Sequence, residues 1–397
     1  MIHDTPLRHD RGEGALRIGF MPLVDCAPLV VARELGFARD EGLDLELVRE
    51  VSWANIRDRI LLGHFDAAHM LAPMPIAARL GLGHVRVPII APFVLNQGGN
   101  SIAVSDALFA EGGDWGDFGD PVASGRTLAR LLAERRAGGA EQPTFASVHP
   151  FSCHHYQLRH WMAAAGVDPD RDLRLTVVPP PHMVAAMAAG DVDGVCVGAP
   201  WTSRAVDAGV GRLIMPTAAL WPSAPEKVLG VREDFAERRG EELAALLRAL
   251  DRAAAWGEAP DNRSRLAELL ARDEIVGVPA AVVMRTLSGN LVVAKGGTPV
   301  PVPGFLRFHG DGENGPITRP RATDGLWFAA QMLRWHQTDD AEAAFAAARE
   351  AYAPQWWDRA LHRPAREAET LRTFEGAVFD GGHPERWLGR EARGGHG

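Results

Sequence analysis

Glu50-Val51-Ser52-Trp53-Ala54-Asn55-Ile56-Arg57-Asp58-Arg59-Ile60-Leu61-Leu62-Gly63-His64-Phe65-Asp66-Ala67-Ala68-His69-Met70-Leu71-Ala72-Pro73-Met74-Pro75 carries two kinds of periodicity in succession. Val51 closes a strand, and Ser52 has the short hydroxyl side chain of a helix N-cap. Ile56, Ile60 and Leu61 then recur at helical spacing, and Gly63 stops the helix. Residues 66–71 read as the next strand. Pro73 and Pro75 forbid its ordinary continuation. The pattern predicts Trp53 at a strand-to-helix turn, beside the end of a second strand. Ligands of open α/β sheets bind outside the carboxyl ends of strands. Trp53 is therefore either the wall of a small-ligand site or an aromatic packed on the sheet.

Outward from this stretch the alternation repeats. Residues 16–20 and 43–48 read as strands and residues 27–37 as the helix between them, giving β-α-β-α-β and a parallel sheet. An apolar run, 88–95, leads into the turn cluster Asn96-Gln97-Gly98-Gly99-Asn100-Ser101, and a strand resumes at 102–104. Glycines in such a cluster let backbone N–H groups converge on an anion, and a generic loop uses the same glycines. A second set follows: strands at 144–148, 173–178, 194–197 and 212–215. Between them, Ser152 caps a helix over 153–165, and 182–189 forms another. The expected fold class is α/β with two lobes. Residues 1–103 and 217–397 form lobe one with added C-terminal helices, and 104–216 form lobe two. Chain crossings near 102–105 and 216–222 would let the lobes close as a hinge.

Beyond residue 241, Leu243, Leu246, Leu247, Leu250 and Ala254 mark a strong amphipathic helix. Residues 296–321, rich in Pro and Gly, read as a long structureless stretch. The aromatic stripe Trp327, Phe328, Met332 and Trp335 reads as core, and 389–397 as a disordered tail.

Composition excludes some functions. The net charge of −9 disfavours direct binding to nucleic acid, which wants a basic face. Cys26, Cys153 and Cys196 lie far apart, which fits neither a disulfide framework nor a zinc site. Residues 1–15 contain no apolar core of a signal sequence and no lipobox-like cysteine, so the protein is expected to be cytoplasmic.

Ser-Trp-Ala-Asn-Ile-Arg-Asp at 52–58, followed by Asp-Ala-Ala-His-Met-Leu-Ala-Pro-Met-Pro at 66–75, resembles the nitrate/bicarbonate solute-binding proteins of ABC transporters. It also resembles their soluble relatives, the NasS-type cytoplasmic nitrate/nitrite sensors. The resemblance continues with gaps to the C-terminus. It implies a two-lobed periplasmic-binding-protein type II fold and no enzymatic activity. It also implies, for the sensor branch, a NasT-like ANTAR-type RNA-binding antiterminator as partner. That partner is held without the anion and released with it. The alternative is the solute-binding component of a nitrate/nitrite ABC transporter. A third class, cofactor-dependent pyrimidine synthesis on the same fold, needs a cysteine cluster this chain lacks.

The resemblance also implies the ligand set. Trp53 falls on the tryptophan of the motif. Asn100, in Gly-Gly-Asn-Ser-Ile, falls on an amide position that is usually Gln. His154 falls on the histidine ahead of Leu-Arg-x-Trp, with His155 as the register alternative; His154 is preferred because it sits two residues after the capping Ser152. Lys227, in Pro-Glu-Lys-Val-Leu, falls where bicarbonate binders place a carboxylate and use calcium, whereas nitrate binders place lysine. A metal-free site without cofactor is thus expected. It would consist of one ammonium ringed by uncharged donors around a planar monoanion. The family's Glu before Pro-Trp is replaced here by Ala199 in Gly198-Ala199-Pro200-Trp201.

Overall fold

The β-branched and aliphatic runs form two sheets in a computed structural model, described over residues 14–312, 315–363 and 370–388. The N-terminal stretch read for a signal sequence, as far as residue 13, and the tail at 389–397 lie outside the described residues. In the first sheet β1 (Leu16–Phe20) lies one strand in from the edge. It pairs in parallel with β2 (Leu45–Arg49) and with β3 (Ala67–Leu71). The chain then adds β4 (Ile89–Gly98), and crosses to a second sheet with β5 (Asn100–Ser105). There β6 (Thr144–Ser147), β7 (Arg174–Val177), β8 (Gly194–Gly198) and β9 (Gly211–Pro216) follow. β10 (Pro225–Arg232) returns to the first sheet and inserts antiparallel between β3 and β4. The second sheet runs β7-β6-β8-β5-β9.

The return crossing falls where it was expected, and the first crossing differs in detail. Residues 96–101 are not a loop: β4 runs through Gly98 and β5 begins at Asn100. The chain changes sheet at Gly98–Gly99, ahead of the expected lobe boundary at 103/104. Both glycines have positive φ, +67° and +91°, and a Cβ on Gly98 would lie 2.4 Å from the carbonyl oxygen of Phe305. Glycine is needed because the backbone reverses against another backbone. The return crossing is a 3₁₀ turn, Thr217–Ala219, between β9 and β10.

The helices keep their sequence signals. Ser52 Oγ accepts from the N–H of Asn55 at the start of helix Trp53–Leu61, and Ser152 Oγ accepts from that of His155 at the start of helix Cys153–Ala164. Asn55 Nδ2 also donates to Glu50 across the turn, fixing the entry angle. Pro73 and Pro75 open a helix, Met74–Leu80, where a missing N–H costs nothing. The helix expected over 27–37 ends at Glu34 and restarts at Phe37, because Gly36 takes the left-handed conformation.

Residues 296–321 are not structureless. Pro299–Pro301 pairs with Asn290–Val292, and Leu306–Arg307 adds an edge strand to β4. The C-terminal helices Ala322–Arg334 and Ala341–Ala351 pack Trp327, Phe328 and Met332 into the core. They also tie to both lobes. Tyr352 donates to the carbonyl of Ala72, and Tyr156 of helix Cys153–Ala164 donates to Gln337. Among the described residues no helix is long and apolar enough to cross a membrane.

Candidate functional site

The crossings bring the carboxyl end of β3, the start of β10, the start of β5 and the N-terminus of helix Cys153–Ala164 to one place between the lobes. Trp53, Asn100, His154 and Lys227 converge there, all essentially inaccessible to solvent. Lys227 Nζ lies over the Trp53 ring, 5.9 Å from its centroid. His154 is close enough for the Lys227 charge to act on it. His155 instead turns to Ser147, with Nδ1 3.2 Å from Oγ, so the register places His154 in the cluster.

The ammonium is not ringed by uncharged donors alone, which corrects the sequence expectation. Asp25, in the turn after β1, puts Oδ2 3.0 Å from Lys227 Nζ, and Glu226 Oε2 lies 3.9 Å from it. His69, on β3, completes the group. Its Nδ1 accepts from the N–H of Met21, so the neutral ring carries its proton on Nε2, 3.1 Å from Asp25 Oδ1. The Trp53 indole meets the His69 ring edge-on at 5.3 Å.

The electrostatics follow from burial. Burial pushes Asp25 up, but Lys227 and His69 overcome it and hold the carboxyl at about 2. Burial lowers Lys227, and Asp25 with Glu226 more than reverses this, so the ammonium is retained. Burial drives His154 well below the usual histidine range, with Lys227 adding to the effect. His69 is lowered by burial despite Asp25. At neutral pH the pair Lys227–Asp25 is charged and internally neutral, and both imidazoles are uncharged.

Around that pair lie buried polar atoms without a hydrogen bond in the protein: Trp53 Nε1, both amide atoms of Asn100 and of Gln157, and both ring nitrogens of His154. Buried groups of this kind each cost about 1–3 kcal/mol when left unpaired. Concentrated in one cleft, they make a donor set suited to a small polar ligand. Gly198, opposite Asn100 in the β5–β8 register, keeps the floor open. A Cβ there would lie 3.2 Å from Asn100 Oδ1 and 3.6 Å from Asp25 Oδ2. Among the described residues no group of three or more His, Cys, Asp or Glu is arranged to hold a metal ion.

Sequence reasoning missed Asp25, His69, Gln157 and Glu226. His69 lay within the quoted motif, and Glu226 beside Lys227. Gln157 was three residues beyond His154, the helical spacing that puts two side chains on one face.

Two α/β lobes, joined by paired crossings and closing on a buried polar cluster, define a periplasmic-binding-protein-like solute-binding fold. The chain belongs to the NMT1-like family, whose model matches residues 10–271. It is similar to the bicarbonate transport ATP-binding protein CmpC of Synechococcus elongatus, 38% identical over 335 residues, which cover 83% of this chain and 47% of CmpC. The chain thus spans about half the length of that relative. The nitrate/nitrite binding protein NrtA of the same organism is 30% identical over 387 residues, covering 94% of this chain and 84% of NrtA. The crystal structure of the periplasmic nitrate-binding protein NrtA from Synechocystis PCC 6803 superposes with a TM-score of 0.86 at 26% identity. It covers 94% of this chain and 97% of that one. These relatives are named as binding or transport proteins.

Proposed function

We propose that this chain binds nitrate or nitrite in the closed cleft around Lys227. The observation that carries the reading is the buried ammonium over the Trp53 ring, surrounded by unpaired donors from both lobes. Nitrate has three in-plane acceptor oxygens and no proton to give, so it needs donors and one nearby positive charge. Lysine, with no metal-ligand cluster beside it among the described residues, suits a monovalent anion taken up without calcium. Isothermal titration with nitrate, nitrite and bicarbonate, in the presence of a chelator, tests this. One nitrate or nitrite site per chain is expected, and a calcium requirement would contradict it.

The protein acts in this reading as a cytoplasmic sensor. Without the anion it holds a NasT-like ANTAR-type RNA-binding antiterminator, and lobe closure on nitrate releases it, controlling nitrate assimilation genes. The resemblance of residues 52–75 to the NasS-type sensors supports this assignment. Linkage requires the partner to weaken nitrate binding by the same factor that nitrate weakens the partner, typically about 5–150-fold. Co-purification with and without nitrate tests it: the partner should leave when nitrate is added. A second reading, favoured by the names of the relatives, is the solute-binding part of a nitrate/nitrite transporter. It would show nitrate binding with no such partner.

A further inference from the structure

Glu226 has no part in the ligand set described so far, yet it is fully buried with its carboxyl 3.9 Å from the Lys227 ammonium. Consecutive residues of a regular strand face opposite sides. Here β10 carries a bulge: Pro225 pairs with Gln97 and Lys227 with Asn96, leaving Glu226 as the additional residue. A bulge re-aims a side chain, and this one brings the Glu226 carboxyl to the same side as the Lys227 ammonium. The carboxyl is completely buried, and neither oxygen has an aligned hydrogen bond within the protein. The amides of Asn100 on β5 and Gln157 on helix Cys153–Ala164 approach it as donors that favour its ionised form, and burial with the Asp25 charge outweighs them.

The charge balance decides what state Glu226 takes with an anion bound. Asp25 already neutralises Lys227. An ionised Glu226 would bring the site to a net −1, and a monoanion would bring it to −2, in a cleft closed to water. Burying such unpaired charge is prohibitive. We propose that Glu226 is a specificity-determining ligand of the anion site, a neutral carboxylic acid that donates its O–H to an oxygen of nitrate or nitrite. The proton comes from bulk solvent whenever Glu226 starts ionised, so above neutral pH each anion enters with one proton. This rests on the anion-site reading given above. Bicarbonate differs chemically: it brings its own O–H and can donate it to an ionised carboxylate. A proton-free anion therefore needs the acid form of Glu226, and a proton-bearing one does not.

The other groups facing Glu226 do not titrate near neutrality. Lys227 on its own strand and Asp25 from the turn after β1 stay charged. Cys153, Cys196 on β8 and Tyr352 after the C-terminal helix are pushed well up by burial and stay protonated. His154 and His69 stay neutral. Glu226 itself is pushed up by burial, against the pull of Lys227, to about 7.

The test is nitrate titration calorimetry on the full chain from about pH 6 to about pH 8.5, in two buffers of unlike ionisation enthalpy. Nitrate affinity should be level below about pH 7 and fall about tenfold per pH unit above it, with about one proton taken up per nitrate at the alkaline end. Glu226→Gln keeps a donor but cannot titrate, so its affinity should match the acid plateau and stay level to the alkaline end. Nitrate binding with a flat pH profile and no proton uptake overturns the proposal while leaving the anion-site reading standing. A fall with pH that persists in Glu226→Gln also overturns it. No nitrate binding at any pH sinks the anion-site reading itself. Should Glu226→Gln fail to fold, the proton count of the unmodified chain decides alone.

Discussion

The two halves of the cleft are built on opposite plans. Lobe one contributes the charge: Asp25 bridges Lys227 and His69, and Trp53 covers the ammonium, while the Trp53 N–H and the Glu226 carboxyl stay unpaired. Lobe two contributes neutral polar groups: Asn100, His154 and Gln157 are buried with their polar atoms unpaired. A charge pair held within one lobe is stable whatever the other lobe does. Unpaired neutral donors in the other lobe gain partners only when something fills the cleft. The arrangement divides labour: lobe one sets the electrostatics, and lobe two supplies neutral hydrogen-bonding groups.

The largest expected effect breaks the lobe-one plan. Lys227→Met removes the ammonium and leaves Asp25 as an uncompensated buried charge. Loss of one partner of a buried pair costs about 3–5 kcal/mol, read as a lower denaturant midpoint, together with loss of nitrate binding by at least about a hundredfold. The double variant Asp25→Asn with Lys227→Met should recover much of the stability and none of the binding. If the double variant is as unstable as the single one, Asp25 is not the reason Lys227 matters to the fold.

The lobe-two plan gives the opposite signature. His154→Leu removes two ring nitrogens that the protein itself does not pair, so stability should hold or rise slightly. Nitrate affinity should fall about tenfold, the worth of one hydrogen bond to a charged group. A variant that loses stability in proportion to affinity would place His154 with the structural groups of lobe one.

Acid and base separate the two carboxylates of the cleft. Asp25 is held below its unfolded value, so its contribution is full above the ordinary carboxylate range and is lost as pH falls towards about 2. Glu226 is held above its unfolded value, so its contribution is full below about 4.5 and is lost as pH rises through about 7. Without anion, the Glu226 contribution should therefore decline from about pH 5 to about pH 7, against the gain from the buried imidazoles of His69 and His154, which resist charging over the same range. The melting temperature of the unmodified chain relative to that of Glu226→Gln should fall over this range, with the acid limb near pH 2–4 common to both. An unaltered profile would mean that Glu226 does not titrate in this range.

What could be read from residue order follows the same division. Local signals survived intact: Ser52 and Ser152 cap the helices they were expected to cap. Trp53, Asn100, His154 and Lys227, which the family resemblance implied, lie in one group. The compensating carboxylates were not legible. Asp25 sits in an irregular turn with no periodicity to mark it, and its partner is some two hundred residues away. Glu226 was hidden by strand alternation, which places it away from Lys227 until the bulge is known. Gly98 and Gly99 were read as a loop because glycine marks loops and sheet crossings alike. Only the approach of Phe305 identifies the second. Residues 296–321 lacked periodicity because their strands are two or three residues long and pair variously with Asn290–Val292, with β4 and with each other.

The smallest effect compares the lobes at matched positions. Each lobe presents its key aromatic or imidazole from the first turn of a serine-capped helix: Trp53 follows Ser52, and His154 lies two residues after Ser152. Replacing an N-cap serine with alanine costs about 1 kcal/mol. Ser52 is partly exposed, so water replaces its oxygen in Ser52→Ala and the loss should fall at or below that figure. Ser152 is fully buried and also donates to the carbonyl of His149, so Ser152→Ala strands two backbone groups away from water and should cost more. Binding should divide along the same line. Trp53 is held by packing against His69 and Lys227 as well as by its helix, so Ser52→Ala should leave nitrate affinity within about twofold. No hydrogen bond within the protein holds the His154 ring, so fraying its helix should lower affinity by several-fold. Equal losses in the two variants would mean that His154 is as firmly placed before the anion arrives as Trp53 is.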